Sequence, residues 1–245
     1  KKVSYKTPYI FIICAGRSGS TALQNMLNSD PNVLIRGENN NFFFHAFKAN
    51  ESLIEFDRGG DDPSKAWFGF RHFKANKYRK SIREIGIQFL TGNNEPSSIK
   101  TIGFKEIRLF HIFNSDKKLS LYTHKYTSKK SLLLKYMRFM NQVFPNNKTI
   151  FLARDPDEII KSGWWAKAKN HKRIIRDLTT FQETCFEISQ STNSPYINYS
   201  VLRNQDLAAI KSTIYDPLGL PFKEETIKES LNQRLNHGKN LKTNK

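Results

Sequence analysis

The chain has 245 residues, 38% of them hydrophobic and 13% aromatic, and 40 Lys and Arg against 22 Asp and Glu give it a formal net charge of +18. That is apolar material enough for one α/β domain with a sizeable core; two cysteines exclude a disulfide framework, and no run approaches the ~18 apolar residues of a membrane span. The positive balance calls for anionic partners such as a nucleotide, a nucleic acid, a sulfated sugar or a membrane surface, without choosing among them.

Tyr9–Cys14 is an unbroken apolar run and predicts a buried strand. Gly16-Arg17-Ser18-Gly19-Ser20-Thr21 follows, and then Ala22-Leu23-Gln24-Asn25-Met26-Leu27, so a strand, a Gly-rich turn and a helix start stand in one line. Successive amides in such a turn point inward and the helix dipole adds positive potential, which suits a phosphate. A nucleotide-hydrolysing loop carries Lys directly after its second Gly. Here Ser20 follows Gly19, and the cation, Arg17, comes before it. The helix runs about Ser20–Asn28 and stops at Ser29-Asp30-Pro31. A short strand, Val33-Leu34-Ile35, leads into Arg36-Gly37-Glu38. Residues 39–98 are rich in Asn, Phe, Lys and Arg, with turns at Gly59-Gly60 and Gly92-Asn93-Asn94. They predict mixed helices and loops that cover an active site, and the Phe42-Phe43-Phe44 cluster within them predicts buried packing.

Ile99–Ile107 is strand-like, and alternation puts Lys105 on the face opposite Phe104 and Glu106. Ser131–Phe144 has helical spacing, and Thr149–Ala153 is a second buried strand, ending at Arg154-Asp155-Pro156. Pro156 is a good first residue for a helix. Ser162 then falls inside that helix, where two-plus turns bring its hydroxyl back to the strand end, so that Arg154 and Ser162 can hold one phosphate. Trp164 and Trp165 follow, to line a pocket or to fill the core. Ile174–Ser191 predicts a long amphipathic helix and Tyr196–Tyr199 a last strand. Helices of about Asn204–Ile214 and Lys223–Leu235 come next, and the basic end with Arg234, His237, Gly238 and Lys239 predicts a frayed tail. The alternation favours a central, mainly parallel sheet flanked by helices, with ligands at the carboxyl ends of its strands. His45, His72, His111, His124 and His171 lack metal-ligand spacing, so no metal is expected. The N-x-[ST] triplets at Asn50, Asn147 and Asn198 carry little weight in so Asn-rich a chain.

The loop Gly16–Thr21 resembles the 5′-phosphosulfate loop of sulfotransferases that use 3′-phosphoadenosine 5′-phosphosulfate (PAPS), and the spacing of Arg154 and Ser162 resembles that family's 3′-phosphate motif. Tyr196-Ile197-Asn198-Tyr199 resembles the family's strand near the carboxyl end, with Ser200 where a Glu is frequent, and Leu218-Gly219-Leu220-Pro221 resembles the next helix and turn. The pattern is most similar to the branch of tyrosylprotein sulfotransferases and related bacterial enzymes. That branch reads Pro-Arg-Ser-Gly-Thr-Thr, a helix, and then Gly-Glu, matched here by Gly16 to Thr21 and Gly37-Glu38.

The resemblance implies an α/β fold like that of the phosphate-loop nucleotide triphosphatases, in a single domain over 1–245 with 39–98 over the acceptor site. It implies PAPS as donor, 3′,5′-adenosine bisphosphate as product, and no metal. Gly16, Arg17, Ser18, Gly19, Ser20, Thr21, Arg154, Ser162 and Tyr199 would bind the donor. Arg17 would neutralise the leaving oxygen, Glu38 would take the acceptor's proton, and Lys105 would stabilise the transferring group, a role its neighbours Glu106 or Arg108 could support. His45 is the next candidate base. The implied acceptor is a small natural product with a hydroxyl or amine, alkaloids of the saxitoxin type being one such class, with a carbohydrate or a protein tyrosine as alternatives. With no secretory signal in view, the expectation is a cytoplasmic enzyme that engages neither nucleic acid nor membrane. A nucleotide kinase would need Lys after Gly19 and an Asp at a strand end, where Ser20 and Arg154 stand. A nucleic-acid-binding module would concentrate its basic residues in a motif, and here they are spread.

Overall fold

The computed structural model describes residues 8–55, 62–66, 68, 69, 72–92, 99–113 and 128–240, the side chains of residue 55 and residues 233–240 excepted. The described residues build a five-stranded sheet in the order β2-β3-β1-β4-β5, with every neighbouring pair parallel. The strands are β1 (Tyr9–Cys14), β2 (Val33–Arg36), β3 (Thr101–Glu106), β4 (Asn147–Ala153) and β5 (Tyr196–Asn198). All six residues of β1 are buried, as a central parallel strand covered on both faces requires. The chain leaves β1 towards β2 on one side, and from β3 it crosses to β4 on the other. Connections therefore diverge at the carboxyl end of β1, where open α/β sheets take their ligands.

Alternation along β1 divides the core into two layers. Tyr9, Phe11 and Ile13 face one layer. It is closed by α2 (Phe42–Glu55), α3 (Ala75–Thr91), α4 (Lys129–Val143) and α6 (His171–Thr192). Ile10, Ile12 and Cys14 face the other, closed by α1 (Ser20–Asn28) and by residues 202–231. The first layer is rich in aromatics: Phe43 stacks on Phe104 at 5.0 Å and meets Phe144 edge-on at 5.4 Å. Segment 39–98 is thus more than a cover, since Phe43 and Phe47 on α2 are fully buried. Its turns at Gly59-Gly60 and Asn93-Asn94 lie outside the described residues.

Four local readings of the sequence are corrected. The helix opened by Pro156, α5, is a single turn, Pro156–Ile160. Ser162 lies outside it because the helical path ends at Lys161: Ser162 is already extended, at φ −115° and ψ 131°, and Gly163, at φ +59°, then opens a 3-10 turn, Gly163–Lys167. The last strand stops at Asn198, whose side chain accepts from the Ser200 amide and starts α7 (Tyr199–Arg203). Beyond Asp206, which caps α8 (Leu207–Ile210), the chain passes through a π turn, Lys211–Tyr215, into α9 (Asp216–Leu218). The terminal helix α10 (Glu224–Asn240) runs on through the stretch expected to fray. Asn50 is 1% exposed and has no room for a glycan. Among the described residues, no helix is long and apolar enough to cross a membrane.

Gly103 on β3 lies so close to β1 that an added Cβ would land on the Ile10 carbonyl oxygen. Gly103→Ala should cost about 1–3 kcal/mol, the usual penalty for overpacking. The measurement is urea unfolding: a lower midpoint at unchanged slope is expected, and a wild-type midpoint would mean the two strands part without cost.

Candidate active site

The turn after β1 is built from two left-handed residues, Arg17 at φ 69° and Gly19 at φ 93°. Between them Ser18 is fully buried and donates its hydroxyl to the Ala15 carbonyl at 2.8 Å. Ser18 therefore shapes the loop with its side chain and has only its amide left for a ligand. The first amides that α1 engages are those of Ala22 and Leu23, both on the Gly19 carbonyl. The amides of Ser20 and Thr21 precede the helical ladder and face the open end of the dipole. Gly16 is buried, its carbonyl accepts from Trp165 Nε1 at 3.2 Å, and a Cβ there would press on the Trp164 ring at 2.7 Å. Beneath the loop, burial pushes the Cys14 thiol up to about 11, so it stays protonated and unreactive.

The end of β4 is fastened to this loop. Arg154 donates to the Arg17 carbonyl at 3.0 Å and to Glu158 at 3.0 Å, and its guanidinium lies 4.8 Å from the Tyr199 ring centre. Tyr199 in turn packs on Gly19, where a Cβ would overlap its ring. Glu158 also takes Arg203 at 2.8 Å. These two guanidinium groups, Arg203 foremost, hold the Glu158 carboxyl below its ordinary range. Ser162, outside its predicted helix, still reaches the site: its oxygen accepts from Arg17 Nε at 3.1 Å. Arg17 spreads over Trp164, 5.6 Å from the ring centre.

On the other side, β3 brings in Lys105, 9% exposed, which donates to Thr21 Oγ1 at 2.9 Å. Its ammonium is 3.9 Å from Glu38, and Arg108 approaches the other Glu38 oxygen at 3.7 Å. Glu38 is therefore held between two cations. Arg36, its neighbour in sequence, donates to the Leu90 carbonyl.

Two clefts meet here. One, of about 260 Å³, is lined by the loop, Lys105, Arg154 and Tyr199. The other, of about 380 Å³, is lined by Arg108, Phe110, His111 and both tryptophans. Glu38, Ile107 and Trp164 line both. Of the predicted residues, Arg17, Gly19, Ser20, Thr21, Glu38, Lys105, Arg154 and Tyr199 converge on the first cleft. His45 lies on α2, where burial and Lys48 lower its pKa, and it is on neither cleft wall. Sequence reasoning missed Arg203, which nothing local announces. It also missed Glu158, although its position four residues after Arg154 was a usable signal.

A profile described as the sulfotransferase family matches residues 8–224. No curated protein sequence matches the chain. Among solved structures it is similar to the sulfotransferase domain of the olefin synthase from Synechococcus PCC 7002, at 14% identity over 92% of this chain and 78% of that one, with a TM-score of 0.45. It is also similar to sulfotransferase STF9 from Mycobacterium avium, at 12% identity over 96% of this chain and 69% of that one, with a TM-score of 0.42.

The Glu158 carboxyl titrates below its ordinary value near 4.5 in the folded chain, so the unfolded state takes up a proton first as pH falls. The stabilisation from its two guanidinium partners should be complete above pH 4.5 and lost as pH falls through the lower folded value. Urea midpoints of the wild type and Glu158→Gln should thus differ at neutral pH and converge in acid. A gap that persists undiminished in acid would mean that charge on Glu158 contributes nothing.

Proposed function

The chain belongs to the sulfotransferase family, and from that premise we propose that it moves a sulfuryl group from PAPS to the hydroxyl or amine of a small molecule. The observation that carries this reading is the pair of adjoining clefts with Glu38 on the wall of both. One cleft has the donor set for a doubly phosphorylated nucleotide: the amides of Ser20 and Thr21 ahead of the helical ladder, the Thr21 hydroxyl with Lys105 on its oxygen, and the Arg154 guanidinium beyond them. The other is largely aromatic and has room for an acceptor.

In this reading the amides of residues 17–21 hold the 5′-phosphosulfate, and Arg154 with Ser162 holds the 3′-phosphate. The Ser162 oxygen accepts from Arg17 and keeps its own proton to give to a phosphate oxygen. Tyr199, wedged between Gly19 and Arg154, sets the spacing between the two phosphate sites. As the acceptor oxygen or nitrogen bonds to sulfur, its proton passes to Glu38. The bond from sulfur to the bridging oxygen breaks, and its electrons stay on the 5′-phosphate. Arg17 and Lys105 stand where that charge develops, so fixed cations do what a divalent ion does in phosphoryl transfer. The products are the sulfated acceptor and 3′,5′-adenosine bisphosphate. The setting is cytoplasmic in this reading, and the acceptor a natural product, alkaloids of the saxitoxin type among the candidates.

Transfer of radiolabelled sulfuryl groups from PAPS to a panel of phenols, alcohols, amines, sugars and tyrosyl peptides tests the reaction directly. No labelled product from any member would refute it. Arg154→Ala should weaken 3′,5′-adenosine bisphosphate by ~2–5 kcal/mol, the range for losing a charged partner. Adenosine 5′-phosphosulfate, without a 3′-phosphate, should lose less, only what the loop forfeits with the Arg154–Arg17 hydrogen bond. Calorimetric titration separates the outcomes, and equal losses would remove Arg154 from the 3′ site.

Glu38→Gln keeps the shape and abolishes proton acceptance. It should lower kcat by about 10²–10⁴, the range for general-base catalysis, with nucleotide affinity retained. A variant with near-normal kcat would place the base elsewhere.

A further inference from the structure

Glu106 is 1% exposed, the most deeply buried carboxylate among the described residues. Among those residues no cation pairs with it. Lys105, next to it on β3, points to the opposite face, to Thr21 and Glu38. The partners of Glu106 are two backbone amides from two loops: Asn41 on one oxygen at 3.0 Å and Arg108 on the other at 2.8 Å. The first loop carries Glu38 and the second carries Arg108, the two side chains that meet at 3.7 Å beside the second cleft.

The first loop needs holding. Asn40 and Asn41 are both left-handed, at φ 55° and 61°, and such a pair of non-glycine residues persists only where its surroundings over-determine it. A carboxylate suits the task because it offers acceptors on both oxygens and no donor. A carboxamide at the same place has one acceptor, and its NH₂ would oppose one of the two N–H groups.

We propose that Glu106 is a positioning residue: by holding the Asn41 and Arg108 amides, it sets Glu38 and Arg108 across the junction of the two clefts for proton transfer. The proposal rests on the reading of Glu38 as base.

The test uses the full chain with Glu106→Gln and Glu106→Asp, and two kinds of readout. Amide hydrogen exchange, followed by NMR without donor or acceptor, should show Asn41 and Arg108 protected in the wild type and at least one of them released in Glu106→Gln. With PAPS and 4-nitrophenol, or the best acceptor of the panel above, kcat of Glu106→Gln should fall about 10²-fold, the cost of a misplacement near 1 Å. The affinity for 3′,5′-adenosine bisphosphate should stay within about twofold, because the loop and Arg154 are untouched. Glu106→Asp keeps both acceptors on a shorter arm and should recover part of kcat. A purely structural role would lower the thermal midpoint and leave kcat of the folded protein unchanged.

Glu106→Gln with wild-type exchange at both amides, or with a released amide and wild-type kcat, would overturn the proposal while sulfuryl transfer itself stood. A wild type that moves no sulfuryl group to any acceptor would overturn the reaction and the positioning role together.

Discussion

The hydrogen bond from Arg154 to the Arg17 carbonyl is the constraint on which the rest of the site depends. A left-handed arginine in a turn costs on the order of 1–3 kcal/mol unless something fixes it. Here the fixing group comes from the end of the neighbouring strand. The bond fastens the loop to the end of β4, and it brings the Arg154 cation to one rim of the cleft. The same contact gives Tyr199 its place, with Gly19 against it and the guanidinium over its ring. Removing the glycine or the arginine would therefore disturb both of the proposed phosphate sites, because they share one hinge.

Charge at the site is a matter of arrangement more than of amount. The chain carries a formal +18, yet the cleft owes its character to a few cations whose freedom has been removed. Lys105 is tied to Thr21, Arg17 to Ser162 and Trp164, and Arg154 to Glu158. Each is held in place by the protein alone, so little reorganisation would be needed if negative charge developed on a leaving phosphate as in the proposed transfer. Glu158 shows the balance involved. It lessens the positive field by one charge, but it holds Arg154 and Arg203 together, and a fixed guanidinium recognises phosphate better than a free one.

What could be read from the sequence was local. The Tyr9–Cys14 run, the turn at Gly16–Thr21 and the Pro156 helix start each carry their signal within a few residues, and each was found where expected. Ser162 was expected on a helix. The helix ends at Lys161, Ser162 is itself extended, and the serine reaches the site by a different path, bonded to Arg17. Segment 39–98 looked like a cover because its composition is mixed. The buried packing expected of Phe42-Phe43-Phe44 holds for Phe43 and Phe44 but not for Phe42, which is 37% exposed; which rings turn inward is fixed by partners such as Phe104 and Phe144 far along the chain. Arg203 on Glu158 and Trp165 on the Gly16 carbonyl were invisible for the same reason, since each joins elements whose separation in sequence says nothing about their distance in space.

The end of β3 shows how a strand's period of two can serve two purposes at once. Phe104 fills the aromatic layer. Lys105 turns the other way, towards the loop and Glu38. Glu106 turns back and gathers the Asn41 and Arg108 amides. Ile107 then lines both clefts, and Arg108 closes on Glu38. A buried carboxylate is costly unless hydrogen-bonded, and a buried ammonium likewise. Here both costs are met by groups that the site already needs in place. Because neighbouring residues on a strand face opposite ways, one residue inserted in β3 would turn the lysine towards the amides, and one deleted would turn the glutamate towards the loop. The register of β3 against β1, Ile12 beside Lys105 and Ile13 beside Glu106, is thus as much a part of the site as the side chains themselves.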